Sequence, residues 1–106
     1  YLNIGDYKAA IAAFELLLHD SPSTKYREEI TYLLIKAKYF LALNSIDEKK
    51  EARINAAQAQ YNLFVKEYPE SEWGEDAKSY QEKINNLRED FQNDKKSKNN
   101  YSQKKD

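Results

Sequence analysis

His19 is the residue that an acid–base or nucleophilic mechanism would most need. It is the only histidine in the chain, and there is no cysteine. No serine lies in a motif that would pair it with this imidazole as a nucleophile. His19 instead falls at the end of a predicted helix, where a cation complements the helix dipole. We therefore interpret it as a solvent-exposed residue and predict no catalytic residue.

Pairs of adjacent carboxylates include Glu28–Glu29, Asp47–Glu48 and Glu75–Asp76. On a helix, two neighbouring side chains point about 100° apart, so none of these pairs can clamp one ion or flank one scissile bond. Metal coordination and glycosidase chemistry both require carboxylates that converge. We expect no metal, no cofactor and no enzyme activity.

The composition indicates one small all-α domain. The chain has 106 residues, of which 33% are charged and only two are Gly and two are Pro. Helix formers are therefore abundant and helix breakers are scarce. The net charge of -1 provides no positive field for phosphates, which argues against nucleic acid as a partner. No apolar run reaches the roughly 20 residues that cross a bilayer.

Apolar residues at spacings of three and four predict four helices. The first runs from about Asp6, its N-cap, to His19, and the second follows Ser23 or Thr24. Ser45 and Glu48 have the spacing of a capping box for a third helix from Ile46 to Tyr68. The fourth follows Ser71 and ends at Phe91. Pro22 and Pro69 end the first and third helices.

The buried faces differ between helices. The first and third carry one stripe each, comprising Tyr7, Ala10, Ile11, Phe14, Leu17 and Leu18 and then Ile54, Ala57, Tyr61, Phe64, Val65 and Tyr68. The second carries two stripes, comprising Ile30, Leu33, Leu34, Ala37, Phe40 and Leu41 on one side and Tyr32, Ile35, Tyr39 and Leu43 on the other. A helix with two apolar stripes is buried between neighbours. The fourth has the single stripe Trp73, Ala77, Tyr80, Ile84, Leu87 and Phe91, as a capping helix requires.

Residues 92–106 contain one aromatic and no aliphatic residue, and five Lys against two Asp. Such a segment buries too little surface to offset the entropy of ordering, so we expect a disordered Lys/Asn-rich tail. This divides the chain into a helical part, 1–91, and a tail, 92–106. The opening Tyr1-Leu2-Asn3-Ile4 reads as the last turn of a helix, which suggests a piece of a longer protein.

The first and third helices repeat one another with an offset of 47 residues. The equivalent pairs are Ala10 with Ala57, Phe14 with Tyr61, Leu17 with Phe64, and Pro22 with Pro69. A small residue, an aromatic four positions later and a terminal proline are typical of the second helix of a tetratricopeptide repeat. The regular repeat has about 34 residues, so about 13 extra residues lengthen the helices around "NSIDEKKEAR".

The order of three segments resembles one family. These are "PSTKYREE" after the first helix, "ALNS" before "KKEAR", and "YPESEW" before the last helix. In this order they resemble the C-terminal part of the outer-membrane assembly lipoproteins of the BamD/ComL family, over residues 1 to 91. The resemblance implies a tetratricopeptide-like solenoid of antiparallel helix pairs, with an extended repeat and a C-terminal capping helix.

The resemblance also implies a function and a location. Such proteins are held by an N-terminal lipid anchor on the periplasmic side of the outer membrane, where they help assemble β-barrel proteins and bind the barrel subunit BamA. The anchor and earlier repeats would precede Tyr1. First helices of these repeats line the concave face, so we predict protein-binding residues at Arg27, Tyr32, Lys36, Lys38 and Tyr39. Tyr32 and Tyr39 are equally compatible with packing on the neighbouring repeat.

Trp73 is a further candidate, because indole side chains are common at interface hot spots. Its place on the apolar stripe favours plain packing. Two rival functions remain, a tetratricopeptide co-chaperone or adaptor scaffold and an accessory helical domain of a larger enzyme. The first predicts a carboxylate clamp of Lys, Asn and Arg, for which only Arg27, Lys36 and Lys38 are available. The second predicts a catalytic domain elsewhere in the same protein.

Overall fold

The computed structural model describes residues 4–20 and 24–105, with side chains described for 4–20 and 26–96. Within these ranges the chain forms four helices and no strand, which confirms the all-α prediction. The helices are α1 (Ile4–Asp20), α2 (Thr24–Leu43), α3 (Asp47–Glu67) and α4 (Gly74–Lys105). Tyr1-Leu2-Asn3, Pro22, Ser23 and Asp106, on which several expectations rested, lie outside the described residues.

The central element of the fold is α2. It packs against α1, α3 and α4, whereas α1, over its described residues, packs on α2 alone. The two apolar stripes predicted for α2 account for this position, because each faces a different neighbour. Leu34 lies buried on one stripe and Ile35 on the other, while Leu43, assigned to the second stripe, is exposed. A helix covered on two sides is the middle of a tetratricopeptide-like stack.

The extra residues of the extended repeat are helical. Helix α2 contains 20 residues and α3 contains 21, and residues 44–46 connect the two helices. This short connection makes α2 and α3 an antiparallel pair. The core that the pair shares with α4 contains buried residues from all three helices, among them Ile35, Ile54, Ala57, Phe64 and Ile84.

Two predicted helix starts were wrong. Asp6 lies inside the first turn of α1, which begins at Ile4, so its carboxylate complements the dipole and does not cap the helix. The N-cap of α3 is Ile46, without a side-chain cap hydrogen bond. Ser45 is buried, and its hydroxyl donates to the Leu41 carbonyl at 2.6 Å and accepts from Arg53 Nη1 at 2.7 Å. These bonds replace the predicted capping box.

The predicted stripes of α1 and α3 are only partly buried. No described residue of α1 is fully buried, and Leu17 is exposed. On α3, Val65 is exposed, while Gln60 is buried although it was not predicted. The reason is the direction from which neighbours approach, since α2 and α4 both cover α3, whereas the described part of α1 packs on α2 alone.

The α4 stripe from Ala77 to Phe91 is buried as predicted, and Trp73 packs against it as a half-buried residue. Among the described side chains, Phe91 is the last buried one. The helix itself differs from the expectation of a tail beginning at residue 92, because its backbone continues to Lys105. Residues 92–105 contain neither Gly nor Pro, so no residue there breaks the helix.

Candidate protein-binding surface

An open apolar groove of 470 Å³ runs between α1 and α2. Its walls are Tyr7, Ala10, Phe14, Leu33, Lys36, Ala37 and Phe40. The Tyr7 and Phe40 rings stack across it, with centroids 6.0 Å apart and planes 14° from parallel. Lys36 is exposed and, among the residues with described side chains, is the only charged one that lines the groove. The groove can therefore hold an apolar surface that carries a carboxylate on one side.

The internal repeat explains why this surface is uncovered. Ala57 and Phe64 on α3 are 0% and 1% exposed because α2 and α4 cover them. Their equivalents on α1, Ala10 and Leu17, are half-buried and 49% exposed. Leu16 is also exposed. The described part of α1 thus presents positions that a neighbouring helix covers in the other repeat.

The three predicted cationic residues differ in their surroundings. Lys36 lies free on the surface at the groove. Lys38 is mostly buried between helices, where its Nζ donates to Gln60 Oε1 of α3 at 2.8 Å and lies 3.8 Å from Glu15 Oε2 of α1. Arg27 Nη1 donates to the Leu18 carbonyl of α1 at 2.6 Å. Arg27 and Lys38 therefore hold helices together, and of the three Lys36 is the most accessible to a partner.

The three predicted aromatic residues belong to one buried cluster. Tyr32 and Tyr39 are 8% and 9% exposed, and both make edge contacts with Tyr80 of α4. Trp73 stacks on Tyr32 and is half-buried. The packing interpretation describes Tyr32 and Tyr39, whose rings lie inside the core, whereas Trp73 packs against that core and keeps part of its surface exposed. They join α2 to α4 and fix the helix that carries Lys36.

Burial also affects the titration of this cluster. Desolvation raises the pKa of Tyr32, Tyr39 and Tyr80 above the ordinary value of 10.0. The charge of Asp76 raises the pKa of Tyr32 and of Tyr80 further. These hydroxyls stay neutral where an exposed tyrosine begins to ionise, which keeps the interface between α2 and α4 free of buried charge.

Sequence reasoning missed the amide side chains between α3 and α4. Gln58 and Gln81 exchange two hydrogen bonds of 2.6 Å, so each amide donates to the other's carbonyl oxygen. Gln60 is buried beside Lys38, and its Nε2 has no partner among the described residues. Periodicity ranks residues by apolarity, so a glutamine inside a buried stripe gives no signal.

The acidic residues and His19 show no metal-binding arrangement within the described side chains. There, no three His, Cys, Asp or Glu residues come together in a group that could hold an ion. His19 is exposed, and its Nδ1 lies 3.1 Å from Asp20 Oδ1. None of the helices, over the described residues, is both long and apolar enough to span a membrane.

A family model described as an outer membrane lipoprotein, YfiO, matches residues 1–94. The chain belongs to the YfiO family of outer membrane lipoproteins. The match covers α1 to α3 and the packed part of α4, so the fold described above is the fold of a YfiO domain. It confirms the predicted resemblance to the BamD/ComL lipoproteins. Neither the curated proteins nor the solved structures contain a match to the chain.

Membership in the YfiO family has two direct consequences. It assigns the protein to the outer membrane, and it places the chain in a family that is not a family of enzymes. The family also favours protein–protein interaction as the mode of action. The groove between α1 and α2 is an apolar surface whose wall carries the exposed Lys36.

Proposed function

We propose that this chain is a protein-binding scaffold of the machinery that assembles β-barrel proteins in the outer membrane. The YfiO match over residues 1–94 carries the proposal. The helical stack supports it, because a stack of helix pairs offers an extended, rigid surface for another protein. The output is docking, with no bond made or broken.

The proposed partner is the barrel subunit BamA, as the resemblance to the BamD/ComL lipoproteins implies. Recognition combines shape and charge. The aromatic cluster around Tyr32 and Trp73 holds α2 rigidly, so little ordering entropy is lost when a partner docks on its accessible side. Lys36 supplies an exposed positive charge beside an apolar surface. A complementary acidic residue would steer the encounter and fix its orientation.

The protein is further proposed to act on the periplasmic side, held by an N-terminal lipid anchor. Protease treatment of intact cells, and of cells with a permeabilised outer membrane, tests the side. We expect the protein to be degraded only after permeabilisation. Degradation in intact cells would place it on the outer surface.

Affinity capture tests the partner. The full-length protein carrying an affinity tag is isolated from detergent-solubilised outer membrane, and the co-purified proteins are identified. We expect BamA among them. Its absence would favour a generic tetratricopeptide scaffold, and a catalytic domain elsewhere in the full-length sequence would favour an accessory domain of an enzyme.

A matched pair of variants tests the proposed role of Lys36. Lys36→Glu reverses an exposed charge beside the groove, and Lys66→Glu reverses an exposed charge at the end of α3. Neither side chain is buried, so both variants should fold. We expect Lys36→Glu to lower BamA recovery about tenfold, because a like-charge contact that costs about 1.4 kcal/mol weakens binding by that factor, and Lys66→Glu to leave it unchanged. Equal recovery in both would remove Lys36 from the interface.

A further inference from the structure

A second, smaller cavity lies between α3 and α4, apart from the groove described above. It has a volume of 180 Å³ and is lined by Glu51, Ile54, Arg88, Phe91, Gln92 and Lys95. Ile54 and Phe91 are buried and form an apolar floor. Two cations and one carboxylate line the same cavity, so its walls carry a net positive charge.

Arg88 is the less compensated of the two cations. Its Nη1 donates to Asn55 Oδ1 at 2.8 Å, and this neutral amide is the partner that the structure gives it. Among the described side chains, no carboxylate lies within ion-pair distance of its guanidinium. A guanidinium carries five N–H donors in a planar fork that matches a carboxylate in two-point contact. Arg88 thus keeps donors available at the wall of a cavity.

Lys95 is held loosely. Its Nζ lies 3.9 Å from Glu51 Oε2, and both side chains are largely exposed, at 62% and 67%. The same Nζ lies 5.4 Å from the centroid of the Phe91 ring. An exposed ion pair at this distance contributes little, so Lys95 can exchange Glu51 for another carboxylate at small cost.

The size of the cavity restricts what can enter it. At about 30 Å³ for each water molecule, 180 Å³ is the volume of roughly six waters. Pockets for small molecules and cofactors occupy about 300–1,000 Å³. This cavity is therefore too small for a cofactor but large enough for one amino-acid side chain with a charged end.

We propose that this cavity binds a glutamate side chain of a partner protein. Arg88 binds the carboxylate through two N–H groups. Lys95 exchanges its ion pair with Glu51 for one with the same carboxylate. The two methylenes of the glutamate lie on Phe91 and Ile54. An uncharged side chain would leave the Arg88 fork unpaired, and an aspartate would place fewer methylenes on the apolar floor. This site stands on its own geometry and does not depend on the role in barrel assembly.

A nuclear magnetic resonance titration of the full-length protein tests the site. The probes are glutamate blocked at both ends, as its N-acetyl N-methylamide, and the glutamine compound of the same shape. We expect saturable shifts at Ile54, Phe91 and the Arg88 side chain with the glutamate probe. The glutamine probe should bind about tenfold more weakly, because hydrogen bonds to a charged group are roughly twice as strong as neutral ones.

Variants separate this site from nonspecific attraction between opposite charges. Arg88→Gln and Lys95→Gln should each weaken binding of the glutamate probe, the former more strongly. Lys83→Gln is the matched control, since Lys83 also lies over an aromatic ring of α4, that of Tyr80, but outside the cavity. It should leave binding unchanged. If Arg88→Gln lowers the melting temperature, Arg88→Lys keeps the charge and should still lose the two-point contact.

Three results would overturn the proposal. One is equal affinity for the glutamate and glutamine probes. Another is unchanged binding in a folded Arg88→Gln or Arg88→Lys protein. The third is the absence of localised shifts at the residues that line the cavity. None of these results bears on capture of BamA, so failure here and failure of the proposed assembly function are distinguishable.

Discussion

Trp73 stacks on Tyr32, with ring centroids 5.1 Å apart and planes 12° from parallel. The contact joins the connection between α3 and α4 to the first half of α2, 41 residues earlier in the chain. Ser71 supports it, because its hydroxyl accepts from the Trp73 amide at 3.0 Å and donates to Glu28 Oε2 of α2 at 2.8 Å. Two independent contacts therefore fasten the same loop to the same helix.

Replacing Trp73 tests whether this stack is structural. We expect Trp73→Ala to lower the free energy of unfolding by about 3 kcal/mol, near the lower end for loss of a large aromatic residue, because the indole is only half-buried. Trp73→Phe keeps a ring over Tyr32 and should recover most of the loss. Urea unfolding followed by circular dichroism measures both. Stability unchanged in Trp73→Ala would return Trp73 to the candidate binding residues.

The register of the internal repeat can be tested with two neighbouring alanines. Ala57 is fully buried against α2 and α4, whereas Ala56, one residue earlier, is exposed. Ala57→Glu places an unpaired charge in the core, and we expect a loss of at least about 3 kcal/mol or an unfolded chain. Ala56→Glu should change stability by less than about 0.5 kcal/mol. Similar melting temperatures for the two variants would show that the register is wrong.

The buried tyrosines predict a loss of stability at alkaline pH. Burial raises the folded-state pKa of Tyr32, Tyr39 and Tyr80 above 10.0, so the unfolded chain releases these protons first. Their stabilising contribution is fully present below pH 10.0 and is lost as the pH rises through the raised folded-state pKa values. Thermal unfolding measured across the alkaline range should show this decline.

A tyrosine variant provides the control for that decline. Tyr39→Phe removes a hydroxyl whose pKa is raised by burial alone, so its alkaline loss should be smaller than that of the natural protein. Tyr26 is exposed and lies outside the cluster, and Tyr26→Phe should not alter the decline. If Tyr39→Phe and the natural protein lose stability in parallel, another group causes the alkaline unfolding.

Two truncations separate the packed part of α4 from its extension. Ending the chain after Lys96 keeps Phe91, the last buried side chain described, and should leave the free energy of unfolding within about 0.5 kcal/mol of its original value. Ending it after Asp90 removes Phe91 and should cost about 3 kcal/mol. Circular dichroism of the first truncation also tests the expected tail. Helical signal lost in proportion to the residues removed supports a helix to Lys105, and an unchanged signal supports the tail.

Much of the fold could be predicted because helical periodicity is a local property. The α4 stripe from Ala77 to Phe91 and the two-sided burial of α2 follow from spacings of three and four residues. Helix starts were harder to predict, because a side chain that can cap a helix can also form hydrogen bonds elsewhere. Ser45 is an example, because its hydroxyl donates to the Leu41 carbonyl and accepts from Arg53 of α3.

For the candidate site, the sequence by itself determined which residue types lie on which face of each helix, and the resemblance to the BamD/ComL family then selected the cations and aromatics of α2. Only the tertiary structure decided their roles. Lys36 remains accessible because it lies at the open groove between α1 and α2, whereas Lys38 is held by Gln60 of α3. Tyr32 is buried because Trp73, which is distant from it in the sequence, stacks on its ring. Periodicity fixes the direction of a side chain within its own helix, but its exposure depends on contacts between helices, which local spacing does not encode.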